Sequence, residues 1–425
     1  MNQQFRNKIV SLFRGGFFHI LTGNVLNRAI AMISSIIVAR IVDKNAYAYL
    51  SYADNLYAYL ALFAGLGLPN ALLKFCRYNE HQKNRAYFEF AVRFGTCFEI
   101  VLGLALCLVV VFVPIPFPEA RVFVWALVLY PILTNLQTTF SDFVRTQYEN
   151  KLYAKASLLQ TVLICILNIA FVYLFNAGGI VLSRYAALTV TLIYLGRYIR
   201  NTLKDTQECR LEHDEKIAFL KMGLALMVAN FFSGVMPLNE AFLVNNIVKD
   251  EVITANFKIA GLFPQMLLLI SGAVTVYFFP IVSQMSDWAD IRKKVVMVGL
   301  ANGVGIVFLV ILGMLLTPLA IRILYGTKYL DAIPMTYMLW VMRGMNCAIR
   351  IVPINFLPAI GKTKFNMWVA LISCIVQVVL DYIFIIRWGV SGVALGATIV
   401  YFLSGIAYWI YFLNVCNSEM KKGAD

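Results

Sequence analysis

Twelve long apolar runs divide this chain, and no water-soluble arrangement can bury so many. They lie roughly at 17–42, 50–75, 87–113, 122–143, 152–175, 179–199, 217–247, 253–279, 295–319, 332–357, 365–386 and 390–415. Each is long enough to cross about 30 Å of hydrocarbon at about 1.5 Å rise per residue. The runs are continuous rather than alternating, which selects helices over a membrane β-barrel. Charged residues make up only 14% of the chain, against about 25% in a soluble domain. The expected fold is an all-α polytopic membrane protein with twelve transmembrane helices. Asn176, Gly178 and Gly179 supply the turn between the fifth and sixth spans.

Ten charges fall inside these runs: Arg28, Asp54, Arg93, Glu99, Asp142, Glu240, Lys258, Arg343, Arg350 and Asp381. A charge at bilayer depth costs several kcal/mol unless it meets a partner or a wet cavity. So many of them imply a polar interior passage, and the five cations point to an anionic cargo.

The loops carry twenty-three Lys and Arg on one side and eight on the other. That bias places both termini in the cytoplasm. It also accounts for the formal net charge of +14 without nucleic acid, for which no loop is long enough to form a binding domain. The N-terminal basic residues precede a stretch too long for a signal-peptide core, so it reads as an uncleaved first span. Eight cysteines without a CxxC, and three dispersed histidines, suggest neither disulfides nor a metal site. No P-loop and no enzyme motif is present, so the chain reads as a non-enzyme without a cofactor.

The most polar linker, NTLKDTQECRLEHDEK at 201–216, falls near mid-chain. It divides the sequence into a six-helix lobe at 1–200 and a second at 217–425. Segments starting at Val42 and Val248 resemble each other. So do those starting at Glu149 and Gly361, and AGGIVLSRYAAL resembles GVSGVALGATIV before spans six and twelve. Such nearly constant offsets suggest a six-helix unit duplicated in parallel.

Asn24, Asn27 and Arg28 share one polar face of the first span, and Arg343, Asn346 and Arg350 share one face of the tenth. Asparagines also serve helix–helix hydrogen bonding, and Arg350 can snorkel to head groups. An arginine, by contrast, cannot shed its charge. Arg93 and Lys258 lie nearer the ends of their spans. Among the acids, Asp54, Glu240 and Asp381 are candidates for coupling H+ or Na+, or for pairing with the cations. If Arg343 does not bind the cargo, the alternative is that it pairs with Asp381 on the neighbouring span. Glu240 follows Pro237, where a broken helix could expose carbonyls. Five tyrosines, Tyr47 to Tyr59, crowd the start of span two as an interfacial belt or a sugar-stacking vestibule.

The GNVLNRAIAM face, the GLGLPNALLKF closure of span two and the GKTKFN loop before span eleven resemble the Wzx-like polysaccharide flippases. These form a branch of the multidrug/oligosaccharidyl-lipid/polysaccharide exporter superfamily. The resemblance implies two six-helix lobes around a central cavity. It implies export of undecaprenyl-pyrophosphate-linked oligosaccharide, such as an O-antigen or capsule repeat unit, across the bacterial inner membrane by alternating access. It further implies that cations such as Arg28 hold the pyrophosphate, with membrane lipids as surroundings and a monomer as the expected state. A small-molecule or ion-coupled exporter on the same fold is the alternative. An integral-membrane glycan polymerase is a third reading, weakened by the short outer loops.

Overall fold

The computed structural model describes residues 17–76, 81–204, 206, 209–283 and 285–422. Among them the chain is helical throughout. The helices are α1 (Phe17–Ile41), α2 (Lys44–Ala61), α3 (Leu68–Phe75), α4 (His81–Phe112), α5 (Ala120–Ala126), α6 (Tyr130–Thr146), α7 (Asn150–Phe175), α8 (Ala177–Leu203) and α9 (His213–Leu243). They continue as α10 (Glu251–Leu262), α11 (Met266–Ser283), α12 (Trp288–Tyr325), α13 (Ile333–Met345), α14 (Ile351–Ala359), α15 (Thr363–Trp388) and α16 (Val390–Lys422).

Each of the twelve expected spans coincides with one helix or with a pair of helical pieces. Eight spans among the described residues are long and apolar enough to cross a membrane unaided. The total is nine if α5 and α6, bent by 41°, count as one. The irregular spans carry identifiable breaks. Between α2 and α3 the chain turns through Gly65, whose φ of +52° suits a residue without Cβ. Span seven continues through Pro237 in α9, and its irregularity is a π-helical turn at Val244–Val248. The break expected at the proline is therefore displaced by about two turns. A second π turn, Asn346–Arg350, separates α13 from α14.

The chain divides into two compact units, 1–231 and 232–425, and the division falls inside α9. In unit 1 a core of Leu68, Leu72, Tyr87, Phe88, Phe143 and Phe219 ties α3, α4, α6 and α9 together. In unit 2 Val295, Val352, Phe356, Tyr408 and Phe412 do the same for α12, α14 and α16.

The internal repeat is visible in the backbone. The α7–α8 junction turns at Asn176, with φ +50° and ψ −134°; the α15–α16 junction turns at Gly389, with φ +59° and ψ −141°. Glycine adopts this conformation freely. Asparagine bears the strain, and its side chain accepts the Asp43 N–H at 3.1 Å. At both junctions the third residue onward is a glycine pressed on a carbonyl of the preceding helix: Gly179 on Phe171 and Gly392 on Phe384. The turns before the two hairpins also match, since the Glu149 N–H donates to Val144 O and the Lys362 N–H to Leu357 O.

Candidate functional site: a buried carboxylate hub

Unit 2 contains a cluster of charged and polar side chains in its interior. Glu240 on α9 is 2% exposed and Asp381 on α15 is fully buried. Arg343, on α13, donates through Nη2 to Glu240 Oε2 at 2.8 Å. Tyr401 of α16 donates its hydroxyl to Glu240 Oε1 at 3.1 Å, and Gln377 of α15 donates to the same oxygen at 3.4 Å. One carboxylate thus joins four helices. Breaking such a buried pair by removing one partner leaves an uncompensated charge.

Arg343, Asn346, Arg350 and Tyr401 face a cavity of about 430 Å³, together with Met236 and Gln265. Arg350 Nη1 reaches Asn346 Oδ1 at 3.5 Å, and the guanidinium lies 5.5 Å from the Tyr401 ring centroid and 6.0 Å from that of Tyr408. Its Nε has no hydrogen-bond partner among the described residues. Arg350 is thus held by aromatic faces in a cavity, a geometry that stabilises a cation and differs from snorkelling.

Asp381 does not pair with Arg343, as proximity of their spans suggested. The guanidinium is committed to Glu240, on a helix that sequence distance did not bring forward. Asp381 Oδ2 accepts from Asn239 Nδ2, at 3.5 Å, and Oδ1 has no donor among the described residues. That oxygen lies against Gly396 of α16, where any Cβ would collide with it. A buried acceptor without a donor is costly unless a proton or cation completes it.

The remaining candidate residues lie elsewhere. Arg28 is exposed on α1, and no acid among the described residues pairs with it. Asn27 donates to Ser157 Oγ on α7 at 2.7 Å, a helix–helix contact; the Asn24 side chain lies outside those described. Arg93 is exposed on α4, with Glu89 3.9 Å away. Lys258 is half-buried on α10. Asp54 is bound in bidentate fashion by Arg184 of α8, at 2.5 and 2.9 Å. Arg184 in turn lies 5.6 Å from the Tyr130 ring centroid.

Sequence reasoning missed Arg184, Gln377 and Tyr401. Gln377 lies four residues before Asp381 and so shares its helix face, a signal that a search confined to charges passes over.

These features define a polytopic helical membrane protein with a buried polar cluster. The chain belongs to the polysaccharide biosynthesis protein family, which matches residues 13–286. It is 22% identical over 252 residues to a Shigella flexneri protein whose name proposes O-antigen transport, covering 58% of this chain and 60% of that one. It is 23% identical over 302 residues to an uncharacterised membrane protein of Methanocaldococcus jannaschii, covering 67% and 58%. The chain therefore spans about three-fifths of the length of these relatives. Its fold matches an inward-facing multidrug resistance MATE family transporter with a TM-score of 0.73 at 14% identity, over 93% of this chain and 96% of the other. The outward-facing form matches with a TM-score of 0.60 at 14% identity, over 95% of each chain.

Proposed function

We propose that the protein is a flippase. It carries undecaprenyl-pyrophosphate-linked oligosaccharide from the inner to the outer leaflet of a bacterial inner membrane by alternating access, with both termini cytoplasmic and segments 1–200 and 217–425 as the moving lobes. The observation that carries this reading is the polar cavity of unit 2, where Arg343, Asn346 and Arg350 stand beside aromatic rings within the tenth apolar run. A glycan diphosphate cannot shed its hydration in hydrocarbon. A cationic, aromatic-lined cavity gives its head group a substitute for water while the prenyl chain stays in lipid. Family membership supports the same substrate class. Arg28 is a further contact for the diphosphate.

Outward movement of two negative charges is favoured by an inside-negative potential, by about 2.3 kcal/mol per charge per 100 mV. Asp381, with Glu240 beside it, is the place for a coupling H+ or Na+, because its Oδ1 lacks a donor. The test is deletion of the gene and chemical identification of the lipid-linked glycan that accumulates in the inner leaflet, followed by complementation. Accumulation reversed by the wild-type gene is the expected result. Unchanged glycan lipids, with loss of resistance to small cationic compounds, would replace this reading with a drug exporter.

A further inference from the structure

A second polar cavity, of about 580 Å³, lies in unit 1 where the linker before α9 meets the start of α4. Its lining includes Arg93, Arg210 and Lys216, the ring pair Phe90 and Phe94, and the exposed Cys97. The two rings are parallel, with centroids 5.4 Å apart. The cavity wall is anchored. Arg85 donates to Thr206 O at 2.5 Å, Lys83 pairs with Glu215 at 2.7 Å, and Leu211 is buried in the unit's core.

Charge is unbalanced here. Glu89, the acid in the lining, is engaged by Arg85 at 2.8 Å and pairs more loosely with Arg93 at 3.9 Å. Arg210 and Lys216 have no acidic partner among the described residues. Three cations therefore converge over an aromatic wall against one carboxylate among the described residues, that of Glu89, which Arg85 also engages, and the Arg93 side chain is 83% exposed.

The same face of α4 continues into the membrane. Positions 93, 97, 100, 104 and 108 follow helical spacing. Beyond Cys97, Ile100, Val101, Leu104 and Leu108 are exposed, Val101 to 59% and Leu108 to 58%. A cationic cup thus opens onto an apolar strip, which is the shape of an anionic amphiphile.

The geometry points to a binding site for the phosphate-bearing head group of a membrane lipid. Arg93, Arg210 and Lys216 hold the phosphate oxygens, and the Ile100–Leu108 strip takes the hydrocarbon chain. Guanidinium forks suit phosphate oxygens, and the rings take the apolar face of an attached sugar or glycerol. On the flippase reading this site loads the lipid diphosphate from the cytoplasmic leaflet. An anionic phospholipid carries the same chemistry. The naming of the diphosphate rests on the proposed function; the site itself does not.

The test reads Cys97, not transport. The full-length protein is placed in neutral phosphatidylcholine nanodiscs, and maleimide modification of the Cys97 peptide is timed by mass spectrometry. Undecaprenyl diphosphate or phosphatidylglycerol is then added. Three charge-assisted contacts predict that saturating lipid slows labelling by at least about tenfold. The triple variant Arg93→Gln, Arg210→Gln, Lys216→Gln should label at the unprotected rate with either lipid while eluting as the wild type does. Protection by the diphosphate alone assigns the site to the substrate; protection by both assigns it to anionic lipids in general. No protection by either lipid, or equal protection in the triple variant, overturns the proposal. Protection in a protein that exports no glycan would instead overturn the transport reading and leave the site standing.

Discussion

In unit 1 the Asp54 carboxylate meets both terminal nitrogens of Arg184, and the buried Glu99 accepts the Gly65 N–H at 2.7 Å. These two contacts each fix one feature of the fold: a helix pair in the first case, the break after α2 in the second. In unit 2 Glu240 divides itself among three donors, and Asp381 has one at the limit of hydrogen bonding. A one-to-one pair has no reason to rearrange. A shared carboxylate beside an under-satisfied one can exchange partners when a proton, a cation or an anionic ligand arrives, because a ligand shifts an equilibrium by its differential affinity for the two states. The Asp54 and Glu99 contacts thus have the form of structural locks, and the Glu240–Asp381 cluster has the form of an exchangeable one.

The largest effect should come from breaking the two pairs in parallel. Arg184→Gln strands Asp54, and Arg343→Gln strands Glu240; loss of one partner of a buried pair costs about 3–5 kcal/mol. Arg184 and Asp54 side chains are 19% and 25% exposed, so their cost falls at or below the lower end of that range. Membrane protein level and detergent thermal stability should drop in both single variants. Neutralising both partners should restore the protein in each case. The units should then part company: Asp54→Asn with Arg184→Gln should regain export, and Glu240→Gln with Arg343→Gln should not. Wild-type glycan export by the second double variant would make that pair structural and erase the contrast.

How far this contrast was legible in the sequence can be judged residue by residue. The spans were legible, because runs of apolar residues have no other fate in a chain of mean hydropathy +0.76. Glu240 and Asp381 stood out as charges at bilayer depth. So did Arg343, but its pairing with Glu240 and the remaining partners did not. Arg184 lies eight residues beyond Asn176 and reads as a loop cation, although its long side chain reaches from α8 to α2. Tyr401 reads as one more aromatic in an apolar helix until its hydroxyl is seen on Glu240. Partner choice between helices far apart in sequence depends on helix rotation, which a charge at the right depth does not specify. The π turns at 244–248 and 346–350 shift that rotation further.

A middle-sized effect should come from Asp381→Asn. The side chain keeps its volume, and Asn239 can still donate to its oxygen, so the protein should reach the membrane at normal level. Its new amide hydrogens can satisfy themselves locally, which removes the need for a proton or cation. Export should then lose its dependence on an imposed H+ or Na+ gradient in proteoliposomes, or stop. The matching change in unit 1, Glu99→Gln, retains an oxygen for the Gly65 N–H and should leave the gradient response as in the wild type. An Asp381→Asn protein with unaltered gradient dependence would show that the lone carboxylate of unit 2 is as structural as those of unit 1.

The smallest effect concerns an ion pair outside the membrane spans, and it tests whether depth sets the size of these differences. Glu215, in the first turn of α9, accepts from Lys83 Nζ at 2.7 Å and from the Glu212 N–H at 3.1 Å. The Lys83 hydrogen bond, and then the backbone one, hold its carboxyl below the usual glutamate range. A carboxyl depressed on folding contributes stability that is present above its unfolded value, near about 4.3, and is lost as pH falls through the folded value. Hydrogen exchange of the 209–216 segment should therefore accelerate below about pH 4, while exchange in the helices of both units stays unchanged. Glu215→Gln should exchange faster at neutral pH and show a flatter profile. The same acid-dependent acceleration in Glu215→Gln would assign it to other carboxyls. Acceleration that spread into the α4 core would show that the clip at the surface is coupled to the buried pairs, and depth would no longer separate them.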